Sequence, residues 1–233
     1  MKSKLVALVV GAMTTLAALP ALPGRAEAAG PPLFVHVEGL DPPGYLPLSA
    51  AGCPAPGADG MPQDRNPGIS WSAGPKGTEY YALIMADMVR GPIVPAQTGS
   101  SPAHNPPKHV FVHWLLANIP VGTTAIAAGA DSNSFTPGGK PATPAPVGLR
   151  GQNNYAQVYA HHPGFQGPWA GYDGPCPSRH KSVTKGYAVI VVAVDQALPL
   201  SPGFTWPQLV ATFGGHVLAV GEATVKFSFG VSR

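Results

Sequence analysis

A chain of 233 residues with 29 glycines and 29 prolines is rich in backbone breakers, yet 45% of it is hydrophobic and only 11% is charged. Disorder of the solvated kind needs low hydrophobicity and high net charge, so that class is excluded, leaving a compact, loop-rich domain of short strands. The formal net charge is +3, with no Lys/Arg run able to neutralise several phosphates, which sets nucleic-acid binding aside.

Lys2 and Lys4 precede an apolar stretch at 5–19, followed by Pro20 and a small-residue tract holding Ala26, Glu27 and Ala28. This order predicts a secretory signal, removed as residues 1–28 to leave one domain at 29–233 in the periplasm or outside the cell. The stretch falls short of the roughly 18 apolar residues that span a bilayer, and no later segment of the chain is long enough to do so. Removal of the signal would leave 11 basic against 10 acidic residues.

Five apolar runs read as strands. Residues 33–37 (LFVHV), 80–86 (YYALIMA), 110–119 (VFVHWLLANI) and 187–194 (YAVIVVAV) are rich in aromatic and β-branched side chains, which fit a pleated surface. Residues 222–229 (EATVKFSF) alternate with a period of two, as in a half-buried strand. The unbroken runs at 110–119 and 187–194 look buried on both faces. Residues 206–213 (WPQLVATF), opened by Ser201-Pro202-Gly203 and closed by Gly214-Gly215, read as a short helix. Between the strands lie breaker-rich loops at 91–108, 134–149 and 161–179, too rich in proline for central strands. The sum is an all-β sandwich with elaborate loops and one or two short helices.

The common catalytic signatures (G-x-S-x-G, H-E-x-x-H, a P-loop, a dinucleotide turn) are absent from the sequence, so no catalysis and no cofactor are expected. Cys53 and Cys176 form an even pair in a chain predicted to be exported, a setting in which disulfides form. Their spacing alone leaves a bridge and two separate thiols equally open. Neither belongs to a C-x-x-C pair. His161 and His162 are adjacent and would point to opposite faces of a strand, and no acidic cluster accompanies them or His104 and His109. A metal site is not expected. Asp87 closes an apolar run, where a carboxylate reaches the rim of a sandwich, although a solvated turn aspartate reads the same way. His113 interrupts an apolar run, as a core histidine also does.

The order of short segments is more informative than any one of them. Asn66-Pro67-Gly68-Ile69-Ser70-Trp71, Asp87 at the end of its run, His113-Trp114, Asn118-Ile119-Pro120, Gly171-Tyr172-Asp173-Gly174-Pro175-Cys176-Pro177 and Gly215-His216-Val217-Leu218-Ala219 follow one another. This succession resembles the phosphatidylethanolamine-binding protein family, in particular its bacterial Raf-kinase-inhibitor-like branch, over residues 60–229. The resemblance implies a β-sandwich with a small pocket for a phosphate- or carboxylate-like anion such as a phospholipid headgroup. It places Asp87, His113, Gly174 and Pro175 at that pocket, and it implies a Cys53–Cys176 disulfide. Two motifs depart from the family pattern. D-P-D reads Asp87-Met88-Val89, and H-R-Y reads Lys185-Gly186-Tyr187, so a carboxylate is lost and a histidine gives way to a lysine. Lys185 would make the pocket more positive, and Tyr187, two residues along the strand, would face the same side. A protein–protein module, an inhibitor of a protease or kinase-like partner acting through the Pro-rich loops at 91–108 and 134–149, is the alternative.

Overall fold

In the computed structural model the described residues are 33–55, 57, 59–88, 110–177 and 183–230. The expected signal at 1–28, the loop at 91–108, His104 and His109 lie outside them. Strands β1 (Val35–Val37), β2 (Ile69–Trp71) and β5 (Ala125–Ile126) form a small sheet in the order β1-β2-β5. Strands β3 (Tyr80–Asp87), β4 (Val112–Pro120), β6 (Leu149–Arg150), β7 (Lys185–Val194) and β8 (Val217–Phe227) form a larger one, ordered β6-β4-β3-β7-β8. All these pairings are antiparallel. Two short helices, α1 (Tyr155–Val158) and α2 (Trp206–Thr212), and a 3-10 turn at Leu48–Ala50 complete the fold.

The larger sheet is covered on both faces, which is why its central strands read as unbroken apolar runs rather than alternating ones. Along β3, Tyr81, Leu83 and Met85 join the core between the two sheets. Ala82, Ile84 and Ala86 point the other way, into a second core that holds Phe204, Trp206, Leu209 and Phe213 from α2 and its approach. The same alternation divides β7 between Val189 and Val191 on one side and Ile190 and Val192 on the other. Helix α2 forms where the sequence predicts it. Its Thr205 backbone N–H donates to the Gln208 side chain at 2.8 Å, satisfying a donor that the first turn cannot.

Strand β8 starts five residues before the predicted run, because Gly221 is no breaker here. A side chain at 221 would run into the Leu33 carbonyl, so glycine lets the chain before β1 pass close over β8. Strands β2, β5 and β6 and helix α1 are two to four residues long and are additions to the predicted set.

Cys53 and Cys176 are joined in a disulfide, 123 residues apart in sequence and 5.4 Å between Cα atoms. Their two segments are also held by backbone contact. The Gly52 N–H donates to the Pro175 carbonyl at 3.0 Å, and the Tyr172 hydroxyl donates to the Ala50 carbonyl at 2.7 Å. Gly174 lies so close to the Ala50 carbonyl that any side chain there would collide with backbone.

Candidate functional site

The ladder between β3 and β4 is interrupted in one informative place. Met85 pairs with Trp114 and Ala86 with Val112, so His113 is left over in a bulge. Bulges re-aim a side chain and free its backbone from the ladder. The freed His113 carbonyl accepts the Asp173 N–H at 3.0 Å, and the imidazole Nδ1 lies 2.9 Å from the Asp173 carbonyl oxygen. A carbonyl only accepts, so Nδ1 bears a proton. The other ring nitrogen, Nε2, lies 3.0 Å from Asp87 Oδ1, and a further proton has to sit in that contact.

Asp87 ends β3 directly opposite Tyr187 on β7. Two residues earlier on β7, Lys185 brings its ammonium to 3.2 Å from Asp87 Oδ2. One carboxylate therefore bridges the imidazole and the ammonium. Burial pushes the Asp87 carboxyl up, but the hydrogen bond and charge of His113, with Lys185, outweigh it and hold the pKa below the usual carboxylate value. Burial, with the Asp87 charge, raises the pKa of the Tyr187 hydroxyl beyond its ordinary range.

These groups line a cavity of about 200 Å³ walled by Phe111, Tyr155 and Tyr159. The His113 ring is 2% exposed, packed edge-on against Tyr155 (5.7 Å between centroids) and Tyr187 (5.3 Å) and tilted against Phe111 (4.9 Å). Tyr155 reaches the cavity because two neighbouring asparagines shape the chain before α1. Asn153 Oδ1 accepts the Tyr155 N–H at 3.0 Å, and Asn154 Oδ1 accepts the Val112 N–H at 2.6 Å.

Four of the residues singled out in the sequence, Asp87, His113, Lys185 and Tyr187, thus converge on one cavity. Gly174 and Pro175 are buried behind it and are not among its lining residues, whereas their neighbour Cys176 is. Gly174 acts through its backbone, accepting the Tyr155 hydroxyl at 2.7 Å and donating to Asp64 Oδ1 at 2.7 Å. Lys185 is paired with Asp87 rather than standing as an unpaired cation. Phe111, Tyr155 and Tyr159 were not picked out from the sequence. An aromatic cluster in a glycine-rich stretch was the available signal for the two tyrosines.

Behind the cavity lies a buried ionic layer that the sequence did not announce. Lys140 Nζ lies between Asp64 and Asp173, and Arg150 is paired with Asp131. Lys140 comes from the Pro-rich loop at 134–149, which the alternative sequence reading offers to a protein partner, and Arg150 from the residue that follows it. Residues 138–140 of that loop are buried, which divides its exposed edge into Ser134 and Pro137 on one side and parts of 141–148 on the other. A lone lysine in a breaker-rich loop of a chain this poor in charge was the one available hint. Among the described residues no group of three or more His, Cys, Asp or Glu is placed to hold a metal ion, and no helix among them is long and apolar enough to cross a membrane.

A model of the phosphatidylethanolamine-binding protein family matches residues 40–228. The chain belongs to that family. Among curated relatives it is 31% identical to a UPF0098 protein of Pyrococcus horikoshii over 116 residues, half of this chain and 48% of that one. It is 26% identical to a UPF0098 protein of Aquifex aeolicus over 158 residues, 67% of this chain and 70% of that one. The chain thus spans about half the length of the first relative and somewhat over two thirds of the second. The crystal structure of Escherichia coli YbcL, described as a new member of the mammalian PEBP family, superposes with a TM-score of 0.54 at 22% identity. That match covers 84% of this chain and 98% of YbcL, and at this identity it bears on fold alone. A phosphatidylethanolamine-binding protein homologue from Chlamydia trachomatis gives a TM-score of 0.53 at 17% identity, covering 86% of this chain and 99% of that one.

The position of Asp87 leads to a pH prediction. Its lowered folded pKa means the ionised form is favoured by folding, so this contribution is complete above the unfolded value near 4. It is lost as pH falls through the lower folded value. Asp87→Asn should therefore be less stable than the parent near pH 7, and the gap should narrow as the pH falls below the unfolded value near 4. Urea unfolding near pH 7 and below about pH 4 checks this. A gap that stays constant, or widens in acid, would show that the Asp87 charge contributes nothing to stability.

Proposed function

We propose that this chain is an exported, non-catalytic binding protein whose cavity takes a small phosphate- or carboxylate-like anion, a phospholipid headgroup among them. The observation that carries the reading is the chain of contacts from Lys185 through Asp87 to His113 at the rim and floor of one aromatic-walled cavity. The ammonium is half exposed and free to turn from Asp87 towards an entering anion, while the imidazole, clamped by the Asp173 carbonyl, stays in place. Asp87 limits affinity, because it competes with the anion for Lys185. The aromatic walls exclude water from the far side of the ligand and strengthen the remaining electrostatic contacts. Membership in a family named for a phospholipid ligand supports the class of ligand. The disulfide and the predicted signal support export.

Lys185→Ala should weaken binding about five- to tenfold, the low end for a charge-assisted hydrogen bond because the ammonium is half in solvent. Titration calorimetry with inorganic phosphate and with glycerophosphoethanolamine checks this. Unchanged affinity in the variant would remove Lys185 from the site. Failure of the parent protein to bind either compound would overturn the reading.

A further inference from the structure

Lys140 is a charged group with almost no access to water. Its Nζ lies 2.8 Å from Asp173 Oδ1 and 3.0 Å from Asp64 Oδ2, and the three side chains are 10%, 2% and 0% exposed in that order. Asn153 Nδ2 donates to the second Asp173 oxygen, Oδ2, at 2.6 Å. An amine and a carboxyl group therefore meet in a site closed to solvent. A second carboxyl group touches the amine, and an amide donor sits on the oxygen that would carry negative charge during acyl transfer. Such a placement converts a bimolecular condensation into an intramolecular one.

We propose that Lys140 and Asp173 condense to an intramolecular amide, Nζ to Cγ, with Asp64 as the proton carrier. The ammonium first passes a proton to Asp173 Oδ1 over their 2.8 Å contact, leaving an amine and a carboxylic acid. The Nζ lone pair attacks Cγ, and the charge that develops on Oδ2 is met by the Asn153 N–H. Asp64 takes a proton from the now positively charged Nζ and hands it to the Oδ1 hydroxyl, which departs as water, so Asp64 ends in the state in which it began. One C–N bond forms, one C–O bond breaks and one water is released. Nothing is oxidised or reduced, and no co-reactant is needed.

The energetics favour this direction. Ions withdrawn from water are costly unless their pairing is excellent, and a neutral amide removes one such pair. Burial, followed by the Asp173 charge, raises the Asp64 carboxyl well above the usual range, which suits it to take up and hand on a proton beside Nζ. Burial pulls the Lys140 ammonium down and the two carboxylates more than offset it, so the unreacted state is the ion pair. The released water leaves a site in which Asp173 is 1% exposed, and the reverse hydrolysis is correspondingly hindered. The bond would pin the loop at 138–140 to the segment whose carbonyl holds His113. Unlike the Cys53–Cys176 bridge, it would survive reduction.

The test is the intact mass of the full chain, purified and reduced. The expected result is a protein one water lighter than its sequence from the observed N-terminus. After trypsin, residues 109–150 and 151–179 should then be recovered as a single branched peptide. Lys140→Arg should carry its full mass and release the two peptides separately. Asp64→Asn should retain both reacting groups and lose the modification wholly or in large part. A reduced parent protein at its full sequence mass, with the two peptides separate, overturns the proposal whatever the anion pocket does.

Discussion

Arg150→Met is expected to destabilise the protein by about 3–5 kcal/mol, the scale for breaking a buried ion pair by removing one partner. Arg150 is 7% exposed and Asp131 5%. The guanidinium donates to Asp131 Oδ1 from Nε at 2.9 Å and from Nη2 at 2.7 Å. Its Nη1 donates to the Pro141 and Pro144 carbonyls at 2.8 and 2.7 Å. Methionine would fill part of the volume and satisfy none of these acceptors. The stranded Asp131 carboxylate would keep the Tyr172 N–H on Oδ2 at 2.9 Å, too little to offset its burial. Equilibrium urea unfolding reads the loss. Adding Asp131→Asn to Arg150→Met should recover part of it, because the uncompensated charge is gone while an acceptor for Tyr172 remains. A single variant within about 1 kcal/mol of the parent would show that the pair contributes no more than an exposed one.

Arg150 also shows where sequence reasoning stops. The long strands were legible because their own composition announces them. Residues 80–86 and 187–194 are apolar runs since both faces of their sheet are covered, and α2 carries its cap in Thr205 and Gln208. Asp87 and His113 stand out locally only as ambiguous breaks at apolar runs, and it is the family resemblance that assigns them to a pocket, draws attention to Lys185 and Tyr187, and pairs the cysteines. The bulge that turns His113 into the site depends on a count of residues against a partner strand, and nothing in VFVHW states that count. The ionic layer is equally silent. Lys140 meets Asp64 across 76 residues and Asp173 across 33, while its own surroundings, Gly-Gly-Lys-Pro, look like a solvated turn. Of the few charged residues, Asp64, Asp131, Lys140, Arg150 and Asp173 are buried, and only the three-dimensional arrangement picks them out. Pro175, expected on the cavity wall, fails for a related reason. The backbone of that segment faces the segment at 50–53, and it is Cys176 that turns outward to the cavity.

Replacing both Cys53 and Cys176 by alanine should cost about 3–5 kcal/mol in stability while leaving the affinity of the proposed anion site within about twofold of the parent. Cys176 lines the wall, but Asp87, His113 and Lys185 are untouched. The two effects separate because the bridge acts chiefly on the unfolded chain. Closing a loop of 123 residues removes conformations from the denatured ensemble, and this gain grows slowly with loop length. In the folded protein the joined segments are already fixed by the Gly52–Pro175 and Tyr172–Ala50 hydrogen bonds and by the close approach of Gly174 to Ala50. His113 takes its orientation from the Asp173 carbonyl and Asp87, neither of which depends on the sulfur atoms. Urea unfolding of the double variant, paired with calorimetric titration of phosphate, measures both quantities on one sample. A large loss of affinity with unchanged stability would reverse the assignment, placing the bridge among the elements that shape the cavity and not among those that restrict the unfolded chain.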